Sequence, residues 1–147
     1  EFREDPYVIH LREVLGGAVR PINGTERYEV NKMSAVIGKA DMERFCRELG
    51  ENFQAIIHRA EGLVEIGKKG YSKATGIAQM CRLAGVRRED TYAFGDSAND
   101  LEMLSFVAHG IAMGNGTKEA KEAAEYVTTD IEEDGIYNGL LHYGLIS

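Results

Sequence analysis

Cysteine is scarce in this chain: its 147 residues contain two, Cys46 and Cys81. They stand far apart, with no CxxC and no neighbouring Cys/His pattern, which excludes a disulfide framework and a zinc signature. Both fall among helix-forming residues, and the sequence predicts buried free thiols. Long apolar runs are missing too; none approaches the ~20 residues that span a bilayer, so no membrane partner is expected. The N-terminal Glu1-Phe2-Arg3-Glu4-Asp5 is acidic and lacks the apolar stretch of a secretory signal. A cytoplasmic location is the resulting expectation. Basic residues are outnumbered, 17 Lys and Arg against 24 Asp and Glu, for a net charge of −7. Such a surface repels a phosphate backbone and excludes nucleic acid as the main partner. A small phosphorylated substrate stays compatible, because one cation can reverse the local field.

What is present suits an α/β protein with two rhythms. Hydrophobic residues make up 44% of the chain, enough for a core at this length. The segment 28–37 reads as a strand rich in β-formers, and 41–49 as a helix with Met42, Phe45, Cys46 and Leu49 on one face. Residues 54–59 and 63–66 read as two short strands joined by a hairpin through Ala60-Glu61-Gly62. Strand, helix and hairpin make an α+β unit around an antiparallel sheet. After Gly67-Lys68-Lys69-Gly70 the pattern changes. Helical periodicity at 73–84 puts Ile77, Met80, Cys81 and Ala84 on one face, with Gly85 as a C-terminal stop. Strands at 91–94, 109–113 and 126–129 then alternate with helices at 101–107, 118–124 and 135–145. That alternation predicts parallel βαβ units with right-handed crossovers. The boundary between the halves falls near Gly67–Ser72, dividing the chain into 1–70 and 71–147. The first ~25 residues carry Gly16-Gly17, Pro21 and Asn23-Gly24 and are too turn-rich to assign.

The chemistry concentrates at Tyr92-Ala93-Phe94-Gly95-Asp96-Ser97-Ala98-Asn99-Asp100. Here an apolar run ends at a glycine, and two carboxylates and an amide follow within five residues. Acids at the end of a buried strand are costly to desolvate without a partner, and a hard cation such as Mg²⁺ is their usual one. Parallel sheets bind ligands at the C-terminal ends of their strands; Asp96, Gly114 and Asp130 all fall there. Capping explains part of the motif equally well. Asn99 with Glu102 resembles a capping box, and Asp100 in the first turn suits the helix dipole. Lys73 opens a helix after a glycine-rich turn and could bring an ammonium to the same crevice, although Lys68 and Lys69 compete for that role. In Gly114-Asn115-Gly116-Thr117 the backbone N–H groups could hold an anion, or the segment is a tight turn with Thr117 as N-cap. The four histidines lack metal spacing, and the tyrosines and phenylalanines are scattered at core-like positions.

Ser72-Lys73, Gly95-Asp96-Ser97-Ala98-Asn99-Asp100 with Met103-Leu104, Ala112-Met113-Gly114-Asn115, and Glu133-Asp134-Gly135 occur in that order. The set resembles the haloacid dehalogenase superfamily, and more narrowly its Cof-type sugar-phosphate phosphatases, over about residues 63–140. The resemblance implies a fold in which 71–147 are the second half of a Rossmann-like core. Residues 1–70 would be part of an α+β cap, with an antiparallel sheet, whose loops select substrates. It implies Mg²⁺ as cofactor, with Asp96 as ligand and Asp100 assisting directly or through water. It further implies Lys73 beside the phosphoryl group, and Asn99 and Asn115 as substrate contacts.

One part of the family pattern is missing. Its members open on an Asp-x-Asp motif whose first Asp attacks phosphorus and whose second acts as acid/base, and no Asp-x-Asp occurs here. The expectation is hydrolysis of small phosphate monoesters through an aspartyl-phosphate. Its nucleophile would come from a missing N-terminal segment or a companion chain, leaving these 147 residues inactive alone. The strand that carries the nucleophile would be central to the sheet, so without it an unpaired strand edge and apolar surface would be exposed. The rival expectation is a non-catalytic module that keeps the fold, and perhaps the metal, for binding or regulation.

Overall fold

A computed structural model describes residues 6–16, 24, 27, 29–30, 32–58 and 62–147. The chain divides into two compact units, residues 1–30 and residues 31–147. In the first, α1 spans Pro6–Leu15. Proline is at home in a first helical position, where its missing N–H has no partner to lose, and Gly16 follows at φ +52°. This helix lies in the stretch that sequence signals left unassigned. The turn residues Gly17, Pro21 and Asn23 lie outside the described residues.

The second unit holds both predicted sheets. In the first, β1 (Met33–Val36), β2 (Phe53–His58) and β3 (Leu63–Lys68) run antiparallel in the order β1-β3-β2. Met33 pairs with Ile66 across one side of β3, and Phe53 with Lys68 across the other. Val64 and Ile66 are buried on one face of β3, while Leu63, Glu65 and Gly67 are half-buried on the other. Gly62, just before β3, sits at φ +75°, and a Cβ there would lie 2.1 Å from the Ile37 carbonyl oxygen. Only glycine allows that approach. α2 (Met42–Glu48) connects β1 to β2. The strand expected over 28–37 is observed only at Met33–Val36; Tyr28 and Asn31 lie outside the described residues.

The second sheet is parallel, in the order β4-β5-β6, from β4 (Tyr92–Gly95), β5 (His109–Ala112) and β6 (Tyr126–Val127). α3 (Lys73–Ala84) precedes it, α4 (Leu101–Phe106) and α5 (Lys118–Ala123) make the crossovers, and α6 (Gly135–His142) follows. Ile111, Ala112, Leu104, Val107 and Ala120 form the core. Two glycines set the layer spacing. A Cβ at Gly110 would lie 2.2 Å from the Leu104 carbonyl oxygen, so α4 rests directly on β5. A Cβ at Gly139 would lie 2.5 Å from the Phe94 ring and 3.4 Å from Ile111, so α6 packs on the other face. In this parallel half the elements differ from the sequence reading only by a few residues at their ends, where helices fray and assignments shift.

The thiols are not buried. Cys46 is exposed and Cys81 half-buried, both free. α2 turns Met42, Phe45 and Leu49 inward, one position round from Cys46, and α3 buries Ala74 with Ile77 and Cys81 half-covered. The inward stripe of α3 is therefore narrower than periodicity suggested, leaving Met80 and Ala84 in solvent along with Leu83. On α6, Ile136, Tyr137 and Leu141 are exposed as well. β4 is an edge strand: among the described residues only β5 pairs with it. No helix among them is long and apolar enough to cross a membrane.

The starts of the three parallel strands carry rings that the sequence left scattered. Tyr92 stacks on His109 at 4.5 Å, and Tyr126 on His142 at 3.8 Å with the planes 4° apart. Tyr143 meets Tyr92, His109 and His142 at 5.3, 4.9 and 4.9 Å. Its hydroxyl donates to Glu125 Oε2 at 3.3 Å, and His109 Nδ1 lies 2.9 Å from the same oxygen. Burial, then the Glu125 carboxylate, push the Tyr143 hydroxyl above its ordinary pKa.

The glycine contacts predict opposite effects of one substitution. Gly110→Ala drives a methyl into backbone and should cost about 1–3 kcal/mol. Gly76→Ala in α3, where a Cβ meets nothing within 4 Å, should gain about 0.5–1 kcal/mol. Thermal unfolding of the two variants would check both signs.

Candidate active site

The site begins where β4 ends. Gly95 closes the strand, and a Cβ there would lie 2.7 Å from Asp100 Cβ, so glycine lets the acid fold back against the strand. The chain passes Asp96 and Ser97 and turns through a 3₁₀ segment, Ala98–Asp100, into α4. This turn returns Asp100 to the start of the loop. Its Oδ2 accepts the backbone N–H of Asp96 at 3.0 Å and that of Ser97 at 3.3 Å. Its Oδ1 accepts Lys73 Nζ at 2.5 Å. Asp100 is 4% exposed, while the Lys73 side chain is about half exposed at 49%. A carboxylate so buried requires this set of donors, because an unpaired one would carry its full desolvation cost.

Lys73 reaches Asp100 because it is the first residue of α3, which packs against α4. Ser72 caps that helix reciprocally: Thr75 N–H donates to Ser72 Oγ at 3.3 Å, and Ser72 N–H donates to Thr75 Oγ1 at 2.9 Å. The competing Lys68 instead lies over the Tyr71 ring, 5.1 Å from its centre. The turn before Lys73 is tied to the antiparallel sheet, where Lys69 N–H donates to the Asn52 carbonyl at 2.9 Å. Gln54 Nε2 also donates to the Tyr71 carbonyl, at 3.4 Å. β2 runs beside the Ala98–Asp100 turn as well, so both sheets border the site.

Burial alone would raise the Asp100 pKa. The Lys73 ammonium and the N–H groups of Asp96 and Ser97 outweigh it and hold the carboxyl below its ordinary 3.8. Asp96 differs. It is exposed, and among the described residues its carboxylate has no hydrogen-bond partner. Its backbone is fixed, with the carbonyl accepting Thr117 N–H at 2.8 Å. The structure thus brings Lys73, Asp96 and Asp100 together and leaves one carboxylate open.

Two expected roles change. Asn99 does not cap: Ser97 stands before the turn in extended conformation, and its Oγ donates to Asn99 Oδ1 at 2.7 Å. The Gly114–Thr117 loop is a turn with a cap, not a ring of free N–H groups. Gly114 N–H is bonded to the Thr129 carbonyl, Gly116 N–H to Met113 and Thr117 N–H to Asp96. Thr117 Oγ1 caps α5 by accepting Ala120 N–H at 3.2 Å. Asn115 makes no hydrogen bond to Lys73, Asp96 or Asp100 among the described residues. Its Oδ1 accepts Ile131 N–H at 3.1 Å, beside an open groove of about 770 Å³ lined also by Asp130, Glu132 and Glu133. Ser97 and Gln54 were missed by sequence reasoning. Only the place of Ser97 inside the acidic motif could have signalled it.

Mg²⁺ fits part of this donor set. Asp96 offers a hard, exposed carboxylate, whereas both Asp100 oxygens are already engaged. Among the described residues no group of three or more His, Cys, Asp and Glu could hold a metal ion. Its remaining ligands would be waters, substrate oxygens or groups beyond these residues, the usual state for Mg²⁺.

The sequence profile of the haloacid dehalogenase-like hydrolases matches residues 18–140. A 5-amino-6-(5-phospho-D-ribitylamino)uracil phosphatase of Bacillus subtilis, YitU, is 46% identical over 81 residues, 55% of this chain and 30% of that protein. The solved structure of BT4131, a sugar phosphatase of haloacid dehalogenase subclass IIB, superposes with a TM-score of 0.73 at 33% identity. The match covers 81% of this chain and 45% of that one. BT1666 of Bacteroides thetaiotaomicron, from a study of phosphatases of the same superfamily, gives a TM-score of 0.80 at 26% identity, covering 96% and 53%. This chain spans about half or less of the length of each.

Because the folded Asp100 pKa is lowered, its contribution to stability is full above the ordinary carboxyl value. It is lost as pH falls below about 4, through the folded value. Urea unfolding from pH 7 to 2.5 should therefore show Asp100→Asn less stable than the parent at pH 7, with the gap closing toward the acid end. A gap independent of pH would refute the assignment. Gly95→Ala should cost about 1–3 kcal/mol by displacing Asp100, read in the same unfolding experiment at pH 7.

Proposed function

The chain belongs to the haloacid dehalogenase-like hydrolases, on their Cof-type branch, and from that premise we propose that it is the site-bearing part of a Mg²⁺-dependent phosphatase. Its substrates are small phosphate monoesters, sugar phosphates or similar. The observation that carries this reading is the Asp96–Asp100–Lys73 arrangement at the end of β4: one open carboxylate, one buried carboxylate and an ammonium held between helix and strand. Residues 71–147 are read as the second half of the core, and 1–70 as part of the cap.

Each side chain has a distinct task. Asp96 would hold the cation, and Asp100 fixes Lys73 and closes the loop, assisting the cation directly or through water. Lys73 keeps two ammonium protons free beyond its bond to Asp100 and directs them to the oxygens of the transferring group. Bound Mg²⁺ neutralises charge on the phosphoryl oxygens. The attacking carboxylate comes from an Asp-x-Asp strand that pairs with the open edge of β4, on an N-terminal segment or a companion chain. Parallel pairing there sets its C-terminal acids beside Asp96. The exposed apolar residues of α3 and α6 support such a neighbour. The attack breaks the ester P–O bond, the alcohol leaves with a proton from the second acid of that strand, and water then hydrolyses the aspartyl-phosphate with the same acid as base.

The 147 residues alone should not hydrolyse p-nitrophenyl phosphate with Mg²⁺, and turnover by them alone would overturn this division of labour. With the Asp-x-Asp strand present, Mg²⁺-dependent hydrolysis should appear. Asp96→Asn or Lys73→Ala should then lower kcat by about 10²–10³-fold. A complete protein that binds Mg²⁺ but turns over no monoester of a sugar-phosphate panel would favour the non-catalytic module. Intact mass and a denaturing gel of the native preparation identify whether the strand arrives on the same chain.

A further inference from the structure

The Ser97 hydroxyl lies 2.7 Å from Asn99 Oδ1. A carboxamide oxygen only accepts, so the hydroxyl proton is directed at it. The bond fixes which way the amide faces. Oδ1 is occupied, and both Nδ2 protons are left over, with no partner among the described residues. Asn99 is half-buried, where donors without a partner carry a cost that a ligand can remove. Ser97 is itself held, since its N–H donates to Asp100 Oδ2 at 3.3 Å and its carbonyl accepts Asp100 N–H at 3.0 Å. One short turn therefore directs a carboxylate at Lys73 and sets an amide by its neighbour's hydroxyl.

We propose that Ser97 is a positioning residue that locks Asn99 to present a pair of neutral N–H donors to an anionic oxygen of the substrate. The inference rests on the phosphatase reading, which supplies the phosphoryl oxygen. A neutral donor suits this place. Lys73 already spends one proton on Asp100, and a further cation beside Asp96 would weaken that carboxylate's hold on a metal ion. Asn99 adds affinity for the anion without adding charge.

The test uses the complete protein and reads the Asn99 side-chain amide by ¹⁵N–¹H NMR, identified by its loss in Asn99→Asp. Ser97→Ala should shift this signal and Ser97→Thr should restore it. Inorganic phosphate with Mg²⁺ should shift it in the parent. Calorimetric titration should show phosphate binding weakened about 5–10-fold in Ser97→Ala, near 1 kcal/mol by the usual conversion. Asn99→Ala should be weakened at least as much. The double variant should bind no more weakly than Asn99→Ala, because Ser97 acts through Asn99. An Asn99 signal unmoved by Ser97→Ala, additive losses in the double variant, or no response to phosphate would each overturn the proposal. Failure of the phosphatase reading looks different: no Mg²⁺-dependent turnover, with the Asn99 amide still responding to phosphate.

Discussion

The Asp100 carboxylate is the group on which the rest of this structure depends. Burying it is expensive, and three donors from two places make that tolerable: an ammonium at the start of α3 and two N–H groups just after β4. The end of the strand, the 3₁₀ turn and the first turn of α3 are therefore mutually conditional, although Lys73 and Asp100 lie 27 residues apart. Gly95 belongs to the same constraint, since any side chain there would occupy the space that Asp100 needs.

The same economy separates the two acids of the motif. Asp100 is consumed by structure, and Asp96 is held only by its backbone, with its carboxylate left in the open. Three N–H groups of the Gly114–Thr117 loop, those of Gly114, Gly116 and Thr117, are spent on the Thr129, Met113 and Asp96 carbonyls, so side chains supply most of the polarity for binding an anion. Three acids on the neighbouring groove make that requirement sharper.

Much of this was legible in the sequence where pattern and local propensity agree. The alternation of strands and helices after residue 70 gave the parallel sheet, and α3 was read to the residue because Ser72 and Gly85 punctuate both its ends. The Asp96–Asp100 pair was legible as one acidic motif at the end of a strand, and four residues suffice to bring the second acid back to the loop's start. The rest depended on tertiary context that local pattern does not carry. Lys68, Lys69 and Lys73 are equivalent as letters, and only the docking of α3 on α4 separates them. Asn99 and Ser97 are both good caps, and the choice between them depends on which residue the strand leaves in extended conformation. The thiols were misplaced because periodicity marks a face but not its width. α1 went unread because turn residues crowd the stretch just after it.

The ring cluster at the far end of the parallel sheet carries a practical consequence. The chain has seven tyrosines and no tryptophan, so its near-ultraviolet signal comes mainly from tyrosine. Three of those tyrosines, Tyr92, Tyr126 and Tyr143, are clamped in a chiral stack with two histidines at the strand starts. The protein thus carries a built-in optical gauge of its sheet, placed at the end opposite Asp96. Ligands that fill the site should leave its spectrum nearly silent, whereas loosening of β4–β6 or α6 should extinguish it.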